Sequence, residues 1–453
     1  MALRSGRLTA VALAERAIDC HRRFGAKLNA YKIFDAAACL AQARIADQAF
    51  DAGLDLGPLQ GIPVSVKDMY GVSGWPTYAG ARTPLPDTWA REGELVKALR
   101  RQLAVIVGKT HTVEFALGGL GVNAHHGTPY NPWDAREHRV PGGSSSGAGL
   151  SLLEGSAWLA FGTDTAGSVR VPAAYTGTVG LKPARAAWPT SGIVPLSYSC
   201  DTPGILTRSA ADLRAVLPGL PALAPGGRVA RLDGARFGVD RRFFFDRCDP
   251  EIVARVDETL ERLSRAGARL VDLELPEVWE AEALFSKGGV AGPELLASFG
   301  SELPDRRAEL DPVVQQRLAE AASMTASEYV KRSRQLQRLA ADAARGSAGV
   351  DALLTPATRN LPPTVAALAD LATYATENMR AMGNTAPFSL FGFCAVVLPV
   401  ARSSSGLPIA LQLAAPAGAE QALVSLACDI EALLGDGRAI LGSPAALEAA
   451  RGE

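Results

Sequence analysis

Apolar positions along the chain change period repeatedly, and each change marks an element. Thr9–Phe24 and Asp35–Ala52 carry Ala and Leu near helical spacing, with Arg, Asp and Glu between them, and predict two amphipathic helices. Pro58-Leu-Gln-Gly61 reads as a turn into a short apolar strand that ends at Lys67. Gly93–Leu103 predicts a helix and Ala104–Gly108 a buried strand, a succession typical of α/β architecture. Ala157–Phe161 predicts a strand, Ser168–Tyr175 the helix after it, and Ser209–Leu217 another short helix. Pro218–Leu232 turns to Pro, Gly and Ala and reads as a linker.

Beyond it, Arg236–Asp240 and Arg269–Leu275 predict strands on either side of a helix, Asp249–Ala266. That helix has Asp249 as cap and Pro250 in its first turn. Glu280–Arg345 is helical in pattern, broken near Gly288–Pro293 and Leu303–Pro304. Ala352–Leu354, Ala395–Val400 and Pro408–Leu413 predict strands, and Glu420–Leu434 a closing helix.

Composition narrows the class. A chain of 453 residues with 48% hydrophobic and 21% charged residues has ordinary globular balance. A formal net charge of −1 gives no steering toward nucleic acid or anionic lipid. The six cysteines are scattered, with no Cys-x-x-Cys or Cys/His metal spacing, which suits a reducing compartment and a cytoplasmic location. Charged residues interrupt the N-terminal helix, so it lacks the apolar core of a signal peptide, and no apolar run is long enough to span a membrane.

Three stretches concentrate the chemistry. Pro141-Gly-Gly-Ser-Ser-Ser-Gly147 and Gly162-Thr-Asp-Thr-Ala-Gly-Ser168 are Gly/Ser turns joined by the small, apolar Ala148–Phe161. Glycine lets backbone approach a substrate closely, serine supplies a hydroxyl, and N–H groups left unpaired in such a turn can hold an oxyanion. The third stretch is Gly61-Ile-Pro-Val-Ser-Val-Lys67. Lysine is rarely buried without a partner, and a desolvated lysine becomes a neutral base near physiological pH.

In this order and spacing, Gly61–Asp68, Pro141–Gly147 and Gly162–Ala173 resemble the amidase signature family. The similarity continues through Val179–Pro183, Ser199–Gly204, Asp351–Pro356 and Asn384–Phe388, nearly the whole chain. It implies a single large α/β domain over 1–453, a mixed central sheet covered by helices, with a signature core at about 58–217 and a variable helical substrate region at about 280–345. It implies a serine, cis-serine, lysine triad: Ser168 as nucleophile, Ser144 as relay after a cis peptide, Lys67 as base. The backbone N–H groups of Thr165, Ala166, Gly167 and Ser168 are the expected oxyanion donors, aided by the dipole of a helix starting at Ser168. Ser145, Asp164 and Arg170 are expected to brace the two turns, and Cys200 to pack. The family usually has two glycines before the nucleophile; this chain has Ala166-Gly167.

The implied reaction is hydrolysis of a small-molecule carboxamide to a carboxylate and ammonia or an amine, with no cofactor and no metal. A homodimer stays open. The substrate pocket is expected from Asn123–Trp133, Glu280–Arg345 and Asn384–Phe393. Two relatives within the resemblance are alternatives: an A-type subunit of a glutamine-dependent tRNA amidotransferase, and a stand-alone amidase like that of allophanate hydrolase. A non-catalytic binding module with a relic site is a third, set against the intact Lys67, Ser144 and Ser168. Ser145 also completes a Gly-x-Ser-x-Gly pattern, but the serine hydrolases that use it need a later histidine, and none follows His138. His125 and His126 precede the first turn and leave a Ser/His pair as a rival base; with His138 they lack zinc-motif spacing.

Overall fold

The computed structural model describes residues 2–223, 231–303 and 306–449. Within them the chain builds one mixed sheet of eleven strands with helices packed on it. The strands are β1 (Tyr31–Phe34), β2 (Pro63–Lys67), β3 (Val105–Thr110), β4 (Leu159–Asp164), β5 (Val179–Lys182), β6 (Thr202–Thr207), β7 (Arg236–Val239), β8 (Arg269–Asp272), β9 (Ala352–Pro356), β10 (Cys394–Arg402) and β11 (Pro408–Ala415). Their spatial order is β1-β3-β2-β4-β6-β5-β10-β11-β9-β7-β8.

The part that positions the site is the parallel trio β3-β2-β4. Val66 lies opposite Lys109 on β3 and Phe161 on β4, and every residue of the three strands is buried. Strands covered on both faces read as continuous apolar runs, which is why Val105, Ile106 and Val107 on β3 and Leu159, Ala160 and Phe161 on β4 show no period-two alternation. Beyond β4 the sheet turns antiparallel through β6, β5, β10 and β11.

The first two helices run Ala10–Leu28 and Ala36–Asp51. Thr9 and Asp35 accept hydrogen bonds from Ala12 N and Ala38 N, satisfying N–H groups that a helix start leaves free. Asp47 in the second helix accepts from Ala10 and Val11 N at 2.6 and 3.0 Å, so its carboxylate anchors the start of the first.

Several expectations change. The helix after the second Gly/Ser turn spans Arg170–Thr176, so Ser168 precedes it rather than opening it, and seven residues give little dipole. Asp249 stands before the helix Pro250–Arg265 but makes no capping bond; its carboxylate pairs with Arg380. Part of the linker expected at Pro218–Leu232 lies outside the described residues, and the strands before and after it share one sheet. Pro304, in the expected break, also lies outside them. Strands β1, β5 and β6 were not anticipated; β5 and β6 contain Gly180, Pro203 and Gly204, which weaken the strand pattern.

Candidate active site

Strand β2 delivers Lys67 into the interior. Its side chain is fully buried, and Nζ donates to Ser144 Oγ and to Thr163 Oγ1, each at 2.7 Å. Burial pulls the amine down to about 7 from its usual 10.5, while the charges of Asp201 and Asp164 oppose that fall. An amine that is half neutral at neutral pH is the outcome.

Ser144 is held by its own backbone. The Gly143–Ser144 peptide is cis. Val113 N donates to Ser144 O at 3.1 Å and Gly143 N to Gly119 O at 2.7 Å. A side chain at Gly143 would come within 2.5 Å of Gly121 N, so the approach of these two backbone segments requires glycine. Ser145 ties this turn to the next: its N–H donates to Ser168 O, and its hydroxyl lies 3.3 Å from both N and O of Thr163. Ser146 is buried and its hydroxyl has no hydrogen-bond partner among the described residues.

The second turn leaves β4 at Asp164. That carboxylate is fully buried, accepts Gly167 N at 2.8 Å and Val169 N at 3.2 Å, and takes Arg170 on both oxygens at 3.0 Å. Burial alone would raise its pKa, but the charge and hydrogen bonds of Arg170 outweigh that and hold it at about 2. Arg170 is itself buried and reaches Thr385 O, Gln412 Oε1 and Ser389 Oγ at 2.9, 2.7 and 2.6 Å, joining the turn to two distant segments, 385–389 and β11. Thr385 Oγ1 donates to Ala166 O at 2.7 Å. Gly167 has φ +142°, and a Cβ there would sit 2.2 Å from Thr385 Oγ1.

This geometry corrects one expectation. The Gly167 N–H is committed to Asp164 and is not free for a substrate oxygen. The N–H groups of Thr165, Ala166 and Ser168 have no protein partner among the described residues, so three donors remain instead of four.

Thr165, Ala166 and Ser168 line a cavity of about 330 Å³. Its far wall comes from Phe285–Pro293 and Arg317–Arg332, with Ala116–Gly118, Leu196, Cys200, Met382 and Leu390 completing it. The expected helical region and Leu390 are therefore present. The loop Asn123–Trp133 is not: Asn123 and Asn131 spend their amides on main-chain carbonyls of Gly80, Thr112, Val140 and Tyr175, which pins the loop to the body. Cys200 is buried and also lines the cavity.

No histidine lines this cavity. His125 pairs with Glu114 at 3.0 Å and His126 contacts Lys32 and Ala81 O. Among the described residues no three His, Cys, Asp or Glu side chains are grouped to hold a metal ion. Likewise among them, no hydrogen bond joins the hydroxyls of Ser144 and Ser168.

Two residues of the site escaped sequence reasoning. Thr163, on β4 five positions before Ser168, is the second partner of Lys67. Asp201 accepts Thr165 Oγ1 at 2.5 Å and the N–H groups of Leu196 and Ser197 at 2.8 and 2.9 Å, and burial raises its pKa. Asp201 falls in the Ser199–Gly204 stretch, whose similarity to the family was the available signal. Asp68 forms a buried ion pair with Lys109 at 2.8 Å, and Lys182 donates to Pro183 O, so both support strand ends.

A buried amine, two serine-bearing turns and a cavity between sheet and helices make a site for breaking amide C–N bonds. Comparison with known proteins agrees. Residues 12–424 match the family model for Amidase. The chain is 50% identical over 449 residues to 2-amino-5-chloromuconic acid deaminase of Comamonas testosteroni, covering 98% of this chain and 96% of that protein. It is 31% identical over 473 residues to a glutamyl-tRNA(Gln) amidotransferase subunit of Streptomyces coelicolor, covering 94% and 93%. Among solved structures, a crystal structure of an amidase superposes with a TM-score of 0.85 at 30% identity, covering 96% of this chain and 98% of that one. The native peptide amidase of Stenotrophomonas maltophilia gives 0.80 at 25% identity, covering 98% and 96%. The chain belongs to the amidase family and is an amide C–N hydrolase.

Proposed function

We propose that the chain hydrolyses a small carboxamide through an acyl-enzyme on Ser168, with Ser144 as proton relay and Lys67 as base. The observation that carries this reading is the 2.7 Å contact from Lys67 to Ser144 behind the turn that presents Ser168 to the cavity. Neutral Lys67 accepts the Ser144 proton while Ser144 accepts that of Ser168, whose oxygen attacks the carbonyl carbon. The second link forms when the Ser168 hydroxyl turns from the cavity toward Ser144, since catalytic hydrogen bonds tighten once substrate is bound. The N–H groups of Thr165, Ala166 and Ser168 stabilise the oxyanion, and the proton returns to the leaving nitrogen. Water then cleaves the ester by the same relay, releasing a carboxylate. The stretch Phe285–Arg332 selects the substrate. Scattered cysteines without a Cys-x-x-Cys spacing suit a cytoplasmic location.

The test is ammonia release from a panel of aliphatic, aryl and ureido amides, with fluorophosphonate labelling in parallel. Wild type should be labelled on Ser168 and Ser168→Ala should lose turnover while keeping its fold. More than a few per cent residual activity in Ser168→Ala refutes the assignment.

The 50% identity favours a second reading, in which the nitrogen released is the amino group of an unsaturated amino acid such as the relative's 2-amino-5-chloromuconic acid. Offering that compound and simple carboxamides side by side separates the two. The reading as one component of a tRNA amidotransferase has the weaker likeness, and co-purification of partner proteins of that complex would favour it.

A further inference from the structure

The wall facing Ser168 carries more positive than negative groups: Lys287, Arg317 and Arg332 against Glu320 and Glu328. Arg332 is accounted for. Its Nε donates to Glu328 at 2.8 Å, and Nη1 reaches the carbonyls of Lys287 and Gly289 at 2.9 and 3.0 Å. Lys287 is exposed. Arg317, on the helix Pro312–Ala322, is different. It is half-buried, and among the described residues its guanidinium makes one hydrogen bond, from Nη1 to Leu117 O at 3.1 Å. No described carboxylate lies within 4.0 Å of it, although Glu320 is one turn further along the helix.

A guanidinium carries five N–H donors in a planar fork matched to a carboxylate. Leaving such a group partly desolvated and without an acid is unfavourable unless something anionic arrives. Burial already works against its charge, and only the more distant Tyr374 and Glu320 oppose that. The cavity that Arg317 and Ser168 both line has an apolar component, with Phe285, Met324, Met382 and Leu390. At about 330 Å³ the cavity stands at the small end of the roughly 300–1,000 Å³ typical of ligand sites.

We infer that Arg317 binds a carboxylate on the substrate, so that the enzyme acts on small acids carrying the scissile C–N bond at one end and a free carboxylate at the other. The inference rests on the proposed reaction at Ser168 and adds its substrate class. The apolar lining holds the carbon chain, and the paired N–H···O bonds to Arg317 fix its far end so that the carbonyl meets Ser168.

The test compares succinamate, glutaramate and adipamate with the neutral butanamide, pentanamide and hexanamide. Wild type should prefer at least one acid over its neutral counterpart by about 10–100-fold in kcat/KM, the size expected for a charge-assisted hydrogen bond. In Arg317→Gln that ratio should collapse toward unity, chiefly through KM, and Arg317→Lys should restore part of it. Calorimetric titration of succinate, glutarate and adipate into Ser168→Ala protein gives a readout independent of turnover; binding should be present there and lost in the Ser168→Ala/Arg317→Gln double variant. Amide turnover without acid preference, or a preference that survives in folded Arg317→Gln, overturns the carboxylate site and leaves the reaction standing. Absence of Ser168 labelling and of all amide turnover overturns the reaction, and if diacid binding fails as well the carboxylate site falls separately.

Discussion

Lys67 makes acid the condition under which this enzyme should fail. The amine is protonated below a pKa of about 7 and neutral above it, and only the neutral form can accept the Ser144 proton. The neutral fraction is about 1% at pH 5 and about 90% at pH 8, so kcat/KM should rise roughly 100-fold across that interval if pH acts on the base alone. The fall from 10.5 to about 7 corresponds to about 5 kcal/mol against the charged form, supplied by burial. The same shift acts on stability. Between about 7 and 10.5 the unfolded chain holds a proton on this lysine that the native chain lacks, so this group's contribution to stability rises with pH through that window. Below 7 both states are protonated and the contribution is flat.

The assay is ammonia release under kcat/KM conditions from pH 5 to 8.5 at constant ionic strength, for wild type and Lys67→Ala. The limb should vanish with the lysine, leaving a low, flat residual rate. A profile level between pH 5 and 8 in wild type, or a limb that persists in Lys67→Ala, refutes the identification of Lys67 as the base.

Three further predictions concern the turns. Ser144→Ala removes donor and acceptor together and should cost ~10²–10⁴ in kcat, less than Ser168→Ala; a loss under tenfold in steady-state assays would reduce Ser144 to a turn residue. Gly167→Ala should lower stability by about 1–3 kcal/mol in urea titrations and depress kcat as well, because the new methyl meets Thr385 Oγ1 in a backbone region that disfavours side chains; an unperturbed variant contradicts the geometry. Arg170→Met strands the buried Asp164 carboxylate and should cost about 3–5 kcal/mol by the same titration. In wild type the Asp164 contribution is complete above about pH 4 and is lost as pH falls through about 2, and that acid dependence should shrink in Arg170→Met.

The residues legible in the sequence were those whose type betrays their surroundings. Lys67 after Val64 and Val66 announces a buried cation, and Gly162 and Gly167 announce tight backbone. What stayed hidden depends on pairing across long separations. Thr163 looks like any strand residue until β2 and β4 are adjacent. The commitment of Gly167 N–H to Asp164 depends on a turn geometry that composition does not encode. Strands β5 and β6 were missed because glycine and proline suppress local strand preference, and neighbouring strands overrode it. The Asn123–Trp133 loop misled for a related reason: polar and aromatic residues before a reactive turn suggest a ligand, whereas here they satisfy the protein's own carbonyls.

The division of labour around Ser168 has a consequence for ancestry. Lys67, Thr163 and Asp164 belong to two adjacent interior strands of the sheet, Ser144 and Ser168 to the turns beside them, where any change disturbs the packing that everything else leans on. Much of the rest of the cavity's lining is one passage of chain between β8 and β9, the two strands that flank β7 at one edge of the sheet. A passage attached in this way can be rewritten, lengthened or exchanged as a cassette while the bond-breaking groups stay where they are. Descendants of one ancestral sequence can then part company over diet long before they part company over chemistry.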